Sequence, residues 1–309
     1  MYKYFFRPFN LVPLVMCTLW LLTSQVAGEE KVFKDVRASI LAGTWYPGSP
    51  DALTKTVQGY LSEARTPSPD GMLKAIIVPH AGYRYSGGVA AYAYRLLQGS
   101  RFTRVILIGP SHRVAFRGVS VNLQSAYKTP FGMVPVDQET GRRLLDTGPN
   151  IQWLRKAHAL EHSLEIQLPF LQTVLNNFQI VPIVMGEQDM KTCSDLADTL
   201  IQVLGDSPET LLLASTDLSH FHNYRQAEAL DLKFIEQVKR FDPEGLLKDL
   251  LSGKCEACGA GPVITTLLTA RKLRADHAVI LKYANSGDVT GDHSGVVGYM
   301  SAALVTGNR

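Results

Sequence analysis

The hydrophobic pattern changes period repeatedly along this chain. Short apolar runs at Ala75–Val78 (AIIV), Arg104–Ile108 (RVILI), Ile180–Val184 and Thr210–Ala214 (TLLLA) read as buried strands, because apolar residues fill consecutive positions. Stretches with helical spacing lie between them. Ser49 reads as an N-cap and Pro50 as a first helical residue, followed by Leu53, Val57, Tyr60 and Leu61. Ala90–Leu97, Gln138–Leu145 and Ser194–Leu204 are predicted helices. Glu161–Leu175 reads as a strong amphipathic helix, with Leu164, Leu168, Leu171 and Leu175 on one face and a bend or split at Pro169. Gly118–Leu123 and Phe131–Val136 read as shorter strands joined by polar turns. Ala227–Arg240, Glu244–Leu251 and Pro262–Arg271 follow as helices, and His277–Ala284 and Val296–Val305 as closing strands. Glu29–Ala38 is charged and reads as a loose lead-in. Strands alternate with helices throughout, with no internal repeat or low-complexity linker. The pattern predicts a single α/β domain with a largely parallel central sheet flanked by helices.

The first residues break that alternation. Lys3 and Arg7 precede the apolar run Leu11–Leu22, and Val26, Ala27 and Gly28 supply small residues. This predicts a signal peptide over residues 1–28, cut after Ala27 or Gly28, with the domain occupying 29–309. The run is short for a membrane span, which needs roughly 20 residues. An uncleaved N-terminal anchor, lengthened by Phe5 and Phe6, is the alternative. The expected location is periplasmic or extracellular, with no stable membrane association after cleavage.

Composition then narrows the function classes. The 309 residues are 46% hydrophobic and 19% charged, an ordinary globular balance with enough apolar material for a sizeable core. Cleavage would remove Lys3 and Arg7 and no acid, taking the formal charge from +3 to +1. No dense basic cluster remains, so nucleic-acid binding is not expected. The cysteines left after cleavage are Cys193, Cys255 and Cys258, a poor count for a disulfide framework.

The candidate chemistry sits where strands end. His80 follows the first buried strand in PHAGYRYSGG, whose glycines Gly82, Gly87 and Gly88 suit a tight loop. His112 follows the second in GPSH, and His220 follows another in STDLSH, accompanied by Asp217. A lone strand-end histidine is more often structural. Several are another matter, because parallel strands bring their carboxyl ends to one rim, where ligands bind in open α/β sheets. Cys258 lies in a Gly-rich loop before a helix, whose N-terminal dipole favours a thiolate. Two imidazoles and a thiolate can bind a transition metal such as Zn, Cu or Fe. Asp217 could orient a neighbouring imidazole. No GxGxxG follows a strand and no Walker loop is present, so nucleotide binding is not expected; HExxH spacing is absent too.

These motifs carry a family resemblance. AGTWYP (Ala42–Pro47), PHAGY (Pro79–Tyr83), GPSH (Gly109–His112), HALEHSLEIQLPF (His158–Phe170), STDLSH (Ser215–His220), CGAGP (Cys258–Pro262), YANS (Tyr283–Ser286) and GYMSAAL (Gly298–Leu304) resemble, in this order, the Memo family. Its bacterial and archaeal members are often encoded beside radical-SAM and AMMECR-type proteins, which implies a functional link to them. The resemblance implies a fold similar to the LigB-type class III extradiol dioxygenases. It implies a metal pocket with His80, His112 and Cys258 as ligands, and His220 with Asp217 handling protons. A thiolate replaces the carboxylate that completes the dioxygenase triad. A thiolate is softer and favours Cu(I), Zn or thiolate-bound iron over a plain dioxygenase iron, and Fe or Cu is expected ahead of Zn.

The resemblance also covers Glu161, His162 and Glu165. Glu161, His162 and Glu165 read either as pocket-lining residues or as a solvated first turn whose acids suit a helix N-terminus. Cys255 makes a CxxC with Cys258 that the family pattern does not require. It reads as a redox partner of Cys258, as a second thiol ligand, or as a small buried apolar residue. The functional expectation is a metal-dependent redox enzyme of dioxygenase-like architecture acting on a small-molecule or peptide ligand. The alternative is a non-catalytic protein that holds a metal, a peptide or a small ligand in the same pocket.

Overall fold

Alternating residues of the interior strands enter two separate cores. Ile76, Val78, Val105, Leu107, Val184, Leu211 and Leu213 belong to one apolar cluster, and Ala75, Ile77, Ile106, Ile108, Ile183, Leu212 and Ala214 to the other. Strands that are apolar on both faces must be covered on both, which makes a three-layer arrangement. In this computed structural model, which describes residues 1–5, 32–65 and 69–307, the helices Pro50–Glu63, Tyr83–Arg95 and Leu168–Val174 cover the first face. Gln138–Thr147, Met190–Leu204, Tyr224–Lys239, Pro243–Leu251 and Ala260–Lys272 cover the second. Phe33–Arg309 form one compact unit. The predicted signal segment falls, from residue 6 to residue 28, outside the described residues. Among the described residues, no helix is long and apolar enough to cross a membrane.

The main sheet runs in the order His220–His222, Val296–Val305, Leu73–Val78, Thr210–Ser215, Arg104–Pro110, Gln179–Met185, Val119–Val121, Ile151–Gln152, with His277–Asn285 also paired to Val296–Val305. It is parallel across its four central strands, from Leu73–Val78 to Gln179–Met185. Antiparallel partners flank them on both sides. The strands that end nearest His80, Asp217 and His112 are adjacent at the centre of this sheet. That adjacency brings residues more than a hundred positions apart to one rim.

Several elements depart from the sequence pattern. The helix after His80 begins at Tyr83 rather than Ala90, so Gly87 and Gly88 lie inside it. Gly87 serves close packing rather than a turn: a Cβ there would sit 2.6 Å from the Tyr60 ring. Ser49 caps the first helix as expected, accepting from the Ala52 N–H. The lead-in is not loose. Val36–Arg37 pairs in parallel with Ala126–Tyr127 in a small three-stranded sheet completed by Gly132–Pro135. The long helix expected over Glu161–Leu175 is also absent. A single 3-10 turn, Glu165–Gln167, leads into Leu168–Val174, with Pro169 in the first helical turn where its missing N–H costs nothing.

Candidate metal centre

His80 stands two residues beyond the strand Leu73–Val78 and is only 2% exposed. Its backbone N–H donates to Asp217 Oδ1 at 2.7 Å, and its ring Nδ1 lies 2.9 Å from Ser215 Oγ. The other ring nitrogen, Nε2, faces Cys258 Sγ at 3.1 Å. Cys258 reaches this position because Gly259 packs directly on the end of a central strand; a Cβ there would lie 2.3 Å from the Ser215 carbonyl.

His112 stands two residues past Pro110. Its N–H donates to Glu161 Oε2 at 2.7 Å and its Nδ1 to Glu161 Oε1 at 2.9 Å. The Nδ1 hydrogen is thereby committed, which leaves the lone pair on Nε2 as the ligand atom. One ligand atom each from His80, His112 and Cys258 falls within a 4.8 Å group.

A second such group, His112, Glu161 and His162, shares His112 with the first. Its carboxylate is already occupied. Glu161 accepts the two His112 bonds and the N–H groups of His162 and Ser163, both at 2.9 Å. Burial would raise its pKa, but those donors and the His112 ring hold it down at about 2. Glu161 is therefore an anchor for His112, and the first group is the candidate metal site. Neither a solvated turn nor a cleft wall describes it, since it is 1% exposed and fully bonded.

The electrostatics follow from burial. Desolvation pushes the His80 ring well below its ordinary value, helped by the neighbouring His112 and His162. Burial lowers His162 to about 4 and raises Asp217 to about 7. The Cys258 thiol is raised as well, by burial and by the Asp217 carboxylate. This corrects the expectation of a dipole-favoured thiolate: at this depth desolvation outweighs the helix N-terminus. Without metal the site holds a protonated thiol beside the His80 ring, which desolvation keeps neutral. The donor set fits a transition metal: two imidazoles anchored through Nδ1, with Nε2 left for the metal, and one sulfur, converging from separate segments.

Above these groups opens a cleft of ≈ 860 Å³. His80, His112, His162, Asp217 and His220 line it, together with Trp45, Arg84, Tyr85, Phe221 and Tyr299. His162 sits among Trp45, His80 and His112, with ring centroids 4.7, 5.4 and 4.3 Å away. His220 Nδ1 lies 2.8 Å from the Leu218 carbonyl. A carbonyl cannot donate, so Nδ1 carries the hydrogen and Nε2 is the acceptor of a ring that burial keeps largely neutral. Asp217 is bonded to His80 rather than to His220.

Two residues singled out in the sequence lie elsewhere. Glu165 does not line the cleft. Its carboxylate, 0% exposed, pairs with Arg37 and accepts from Ser39, Ile40, Leu41 and Tyr46. Of these partners only Arg37 lies in the charged stretch whose pattern reads as a lead-in; the others follow it directly. Cys255 is a free thiol, 1% exposed, within the second apolar cluster, and burial pushes it up to about 11. It takes the position of a small buried apolar residue, one of the readings its spacing leaves open, and a protonated thiol there is a poor exchange nucleophile. Ser163, Gln167 and Ser215, which hold the ligand shell from behind, carried no signal as separate chemistry in the sequence. Arg84 and Phe221, which line the cleft, carried none either.

Comparison with known proteins agrees with the motifs. The family model described as Memo-like protein matches residues 37–303. The chain belongs to the Memo family. A MEMO1 family protein of Methanopyrus kandleri is 35% identical over 279 residues, covering 87% of this chain and 98% of its own. One of Thermotoga petrophila is 36% identical over 284 residues, covering 87% and 99%. The Memo-family fold has a solved neighbour in an uncharacterized protein from Escherichia coli K12, with a TM-score of 0.51 and 14% identity, covering 75% of this chain and 99% of the other. At that identity the likeness is one of fold alone.

Proposed function

We propose that this Memo-family chain binds one transition-metal ion, Fe or Cu ahead of Zn, through His80, His112 and Cys258. In this reading the adjoining cleft presents a small organic or peptide ligand for a metal-dependent redox reaction. The observation that carries it is the convergence of three ligand atoms within 4.8 Å, two of them from residues that line an open cleft. The metal would supply a one-electron couple and a Lewis-acidic position. The remaining roles belong to the protein. Glu161 and Ser215 hold the two ligand imidazoles in place. His220 Nε2 accepts a proton from a bound ligand. Trp45, Tyr85 and Phe221 offer apolar contact in the cleft, and Arg84 offers charge. Openness favours catalysis over sequestration, because a storage site is better served by closed coordination.

Elemental analysis of the purified protein, followed by titration of Cu, Fe(II) and Zn(II) into the metal-free form, tests the reading. One metal per chain is expected, lost in His112→Ala and Cys258→Ser at nearly unchanged thermal stability. Wild-type protein that retains no metal and takes up none overturns it. The export reading is likewise a proposal. Mass spectrometry should find a mature start near residue 28 or 29, and an intact N-terminus in soluble cytoplasmic protein would remove that reading.

A further inference from the structure

Behind the candidate ligands runs a chain of buried hydrogen bonds. Tyr94 Oη donates to Gln167 Oε1 at 2.6 Å. Gln167 Nε2 donates to the Pro79 carbonyl at 3.0 Å and to Ser215 Oγ at 2.8 Å. Ser215 Oγ donates to the Ser163 carbonyl at 2.7 Å and meets His80 Nδ1 at 2.9 Å. Tyr94, Ser163 and Ser215 are 0% exposed and Gln167 1%. No water is needed to complete the chain.

The direction of every bond is fixed by its ends. Pro79 and Ser163 present carbonyl oxygens, which only accept. The Gln167 amide must therefore turn its nitrogen toward Pro79, and the same nitrogen reaches Ser215. The Ser215 hydroxyl has one hydrogen, and the Ser163 carbonyl takes it. With Gln167 donating to one lone pair, the other lone pair faces His80. His80 Nδ1 must then be the donor.

We infer that Ser215 and Gln167 are positioning residues that hold His80 with its hydrogen on Nδ1, so that the Nε2 lone pair faces Cys258 Sγ. Its purpose rests on the metal-site reading above, since that lone pair is the ligand atom. The assignment of the hydrogen does not. His112 is held the same way by a carboxylate; His80 is held by a neutral chain with fixed polarity. Without Ser215 the ring loses the acceptor that the described residues place at Nδ1. Without Gln167 the hydroxyl is free to rotate and donate to Nδ1, which would move the ring hydrogen to the ligand nitrogen.

The test uses full-length, metal-free protein with isotope-labelled histidine, whose ring nitrogens are read by long-range proton–nitrogen correlation; His80→Gln assigns the His80 signals. The wild type should show His80 with Nδ1 protonated and Nε2 bare. Ser215→Ala and Gln167→Leu, checked for native melting, should show a mixture of both tautomers. Their affinity for Co(II), read from the thiolate charge-transfer band, should fall about 10–100-fold, the usual cost of losing an outer partner of a ligand histidine. Thermal stability reports folding separately, and a purely structural role would leave the ring tautomer unmoved. A wild-type ring protonated on Nε2, or variants with a pure Nδ1–H ring, overturns the inference. Wild-type protein that shows the expected tautomers but takes up no Co(II) overturns the metal reading and leaves the positioning role standing.

Discussion

Replacing Glu165 by Gln should destabilise the fold more than most single substitutions, although the two side chains have nearly the same shape. Glu165 and its partner Arg37 are 0% and 3% exposed, with the ion pair at 2.5 Å. Oε1 also accepts from Ser39 Oγ at 2.6 Å, Leu41 N at 3.0 Å and Tyr46 Oη at 2.8 Å. Both carboxylate oxygens face donors, so an amide nitrogen at either position confronts an N–H or a guanidinium. The Arg37 charge stays buried and loses its counter-charge. Breaking a buried pair from one side costs about 3–5 kcal/mol. At roughly 2–3 °C per kcal/mol for a domain of this size, the melting temperature should fall by about 6–15 °C. Differential scanning calorimetry of the wild type, Glu165→Gln and the double variant Arg37→Met/Glu165→Met reads this directly. The double variant should recover part of the loss, because no unpaired charge remains. Recovery stays partial, since Ser39, Ile40 and Leu41 still lack their acceptor. A Glu165→Gln melting temperature within about 2 °C of wild type would refute the argument.

Other consequences are open to measurement. Glu161→Ala should weaken Co(II) or Zn(II) binding about 10–100-fold by freeing the His112 ring, and unchanged affinity in calorimetric titration would count against the anchor role. His158 is fully buried, and burial lowers its pKa to about 3. The unfolded ring takes up a proton near its ordinary value while the folded ring does not, so stability is full above about pH 6.5 and falls by roughly 1.4 kcal/mol per pH unit below it. Denaturant titrations near pH 6.5 and pH 5 should therefore show the wild type losing about 2 kcal/mol more than His158→Gln. Equal losses would contradict that. Phe221 holds a φ of 62° while 79% exposed. Relief of left-handed backbone, roughly 1–2 kcal/mol, should offset the about 0.5–1 kcal/mol entropic cost of glycine. Phe221→Gly should thus melt no lower than wild type, and a clear drop would show that the ring packs.

The rim of the sheet was legible because its signals are local. An apolar run ending in Pro79 and His80, or in Gly109, Pro110 and Ser111 before His112, marks a strand end with chemistry beside it. Parallel pairing then brings such ends together without further information. The alternation of core faces within Ala75–Val78 and Arg104–Ile108 followed equally from strand period. The supports were not legible. Arg37 lies in a charged stretch that resembles any solvated lead-in, and nothing near it in sequence announces that Glu165, 128 positions away, will bury it. Cys255 is ambiguous for the opposite reason: a CxxC spacing admits redox, ligand and packing readings, and its place in the second apolar cluster is visible only in the fold. Gly87 and Gly88 suggested a loop because glycine's role in close helix packing depends on Tyr60, which only the tertiary fold supplies.

The departure at Glu161–Leu175 has a physical reason that also explains the site. Leu164, Leu168 and Leu171 are buried as a helical pattern requires, so the apolar signal was sound. A continuous helix would place Glu161 and Glu165, four residues apart, on one face as neighbouring buried like charges. Neither could then reach separate donors, and an unpaired buried carboxylate is among the costliest groups in a fold. Breaking the helix before Glu165 gives each carboxylate its own partners. Glu161 folds back on the N–H groups of His162 and Ser163 and takes the His112 ring. Glu165 takes Arg37, whose guanidinium in turn donates to the His158 and Glu161 carbonyls at 2.8 and 2.7 Å. The Ser163 carbonyl, with no following helical turn to accept from, is left free for Ser215. One irregular segment thus anchors His112 through a side chain and His80 through a backbone oxygen. Restoring its helix would satisfy the local pattern and dismantle both anchors.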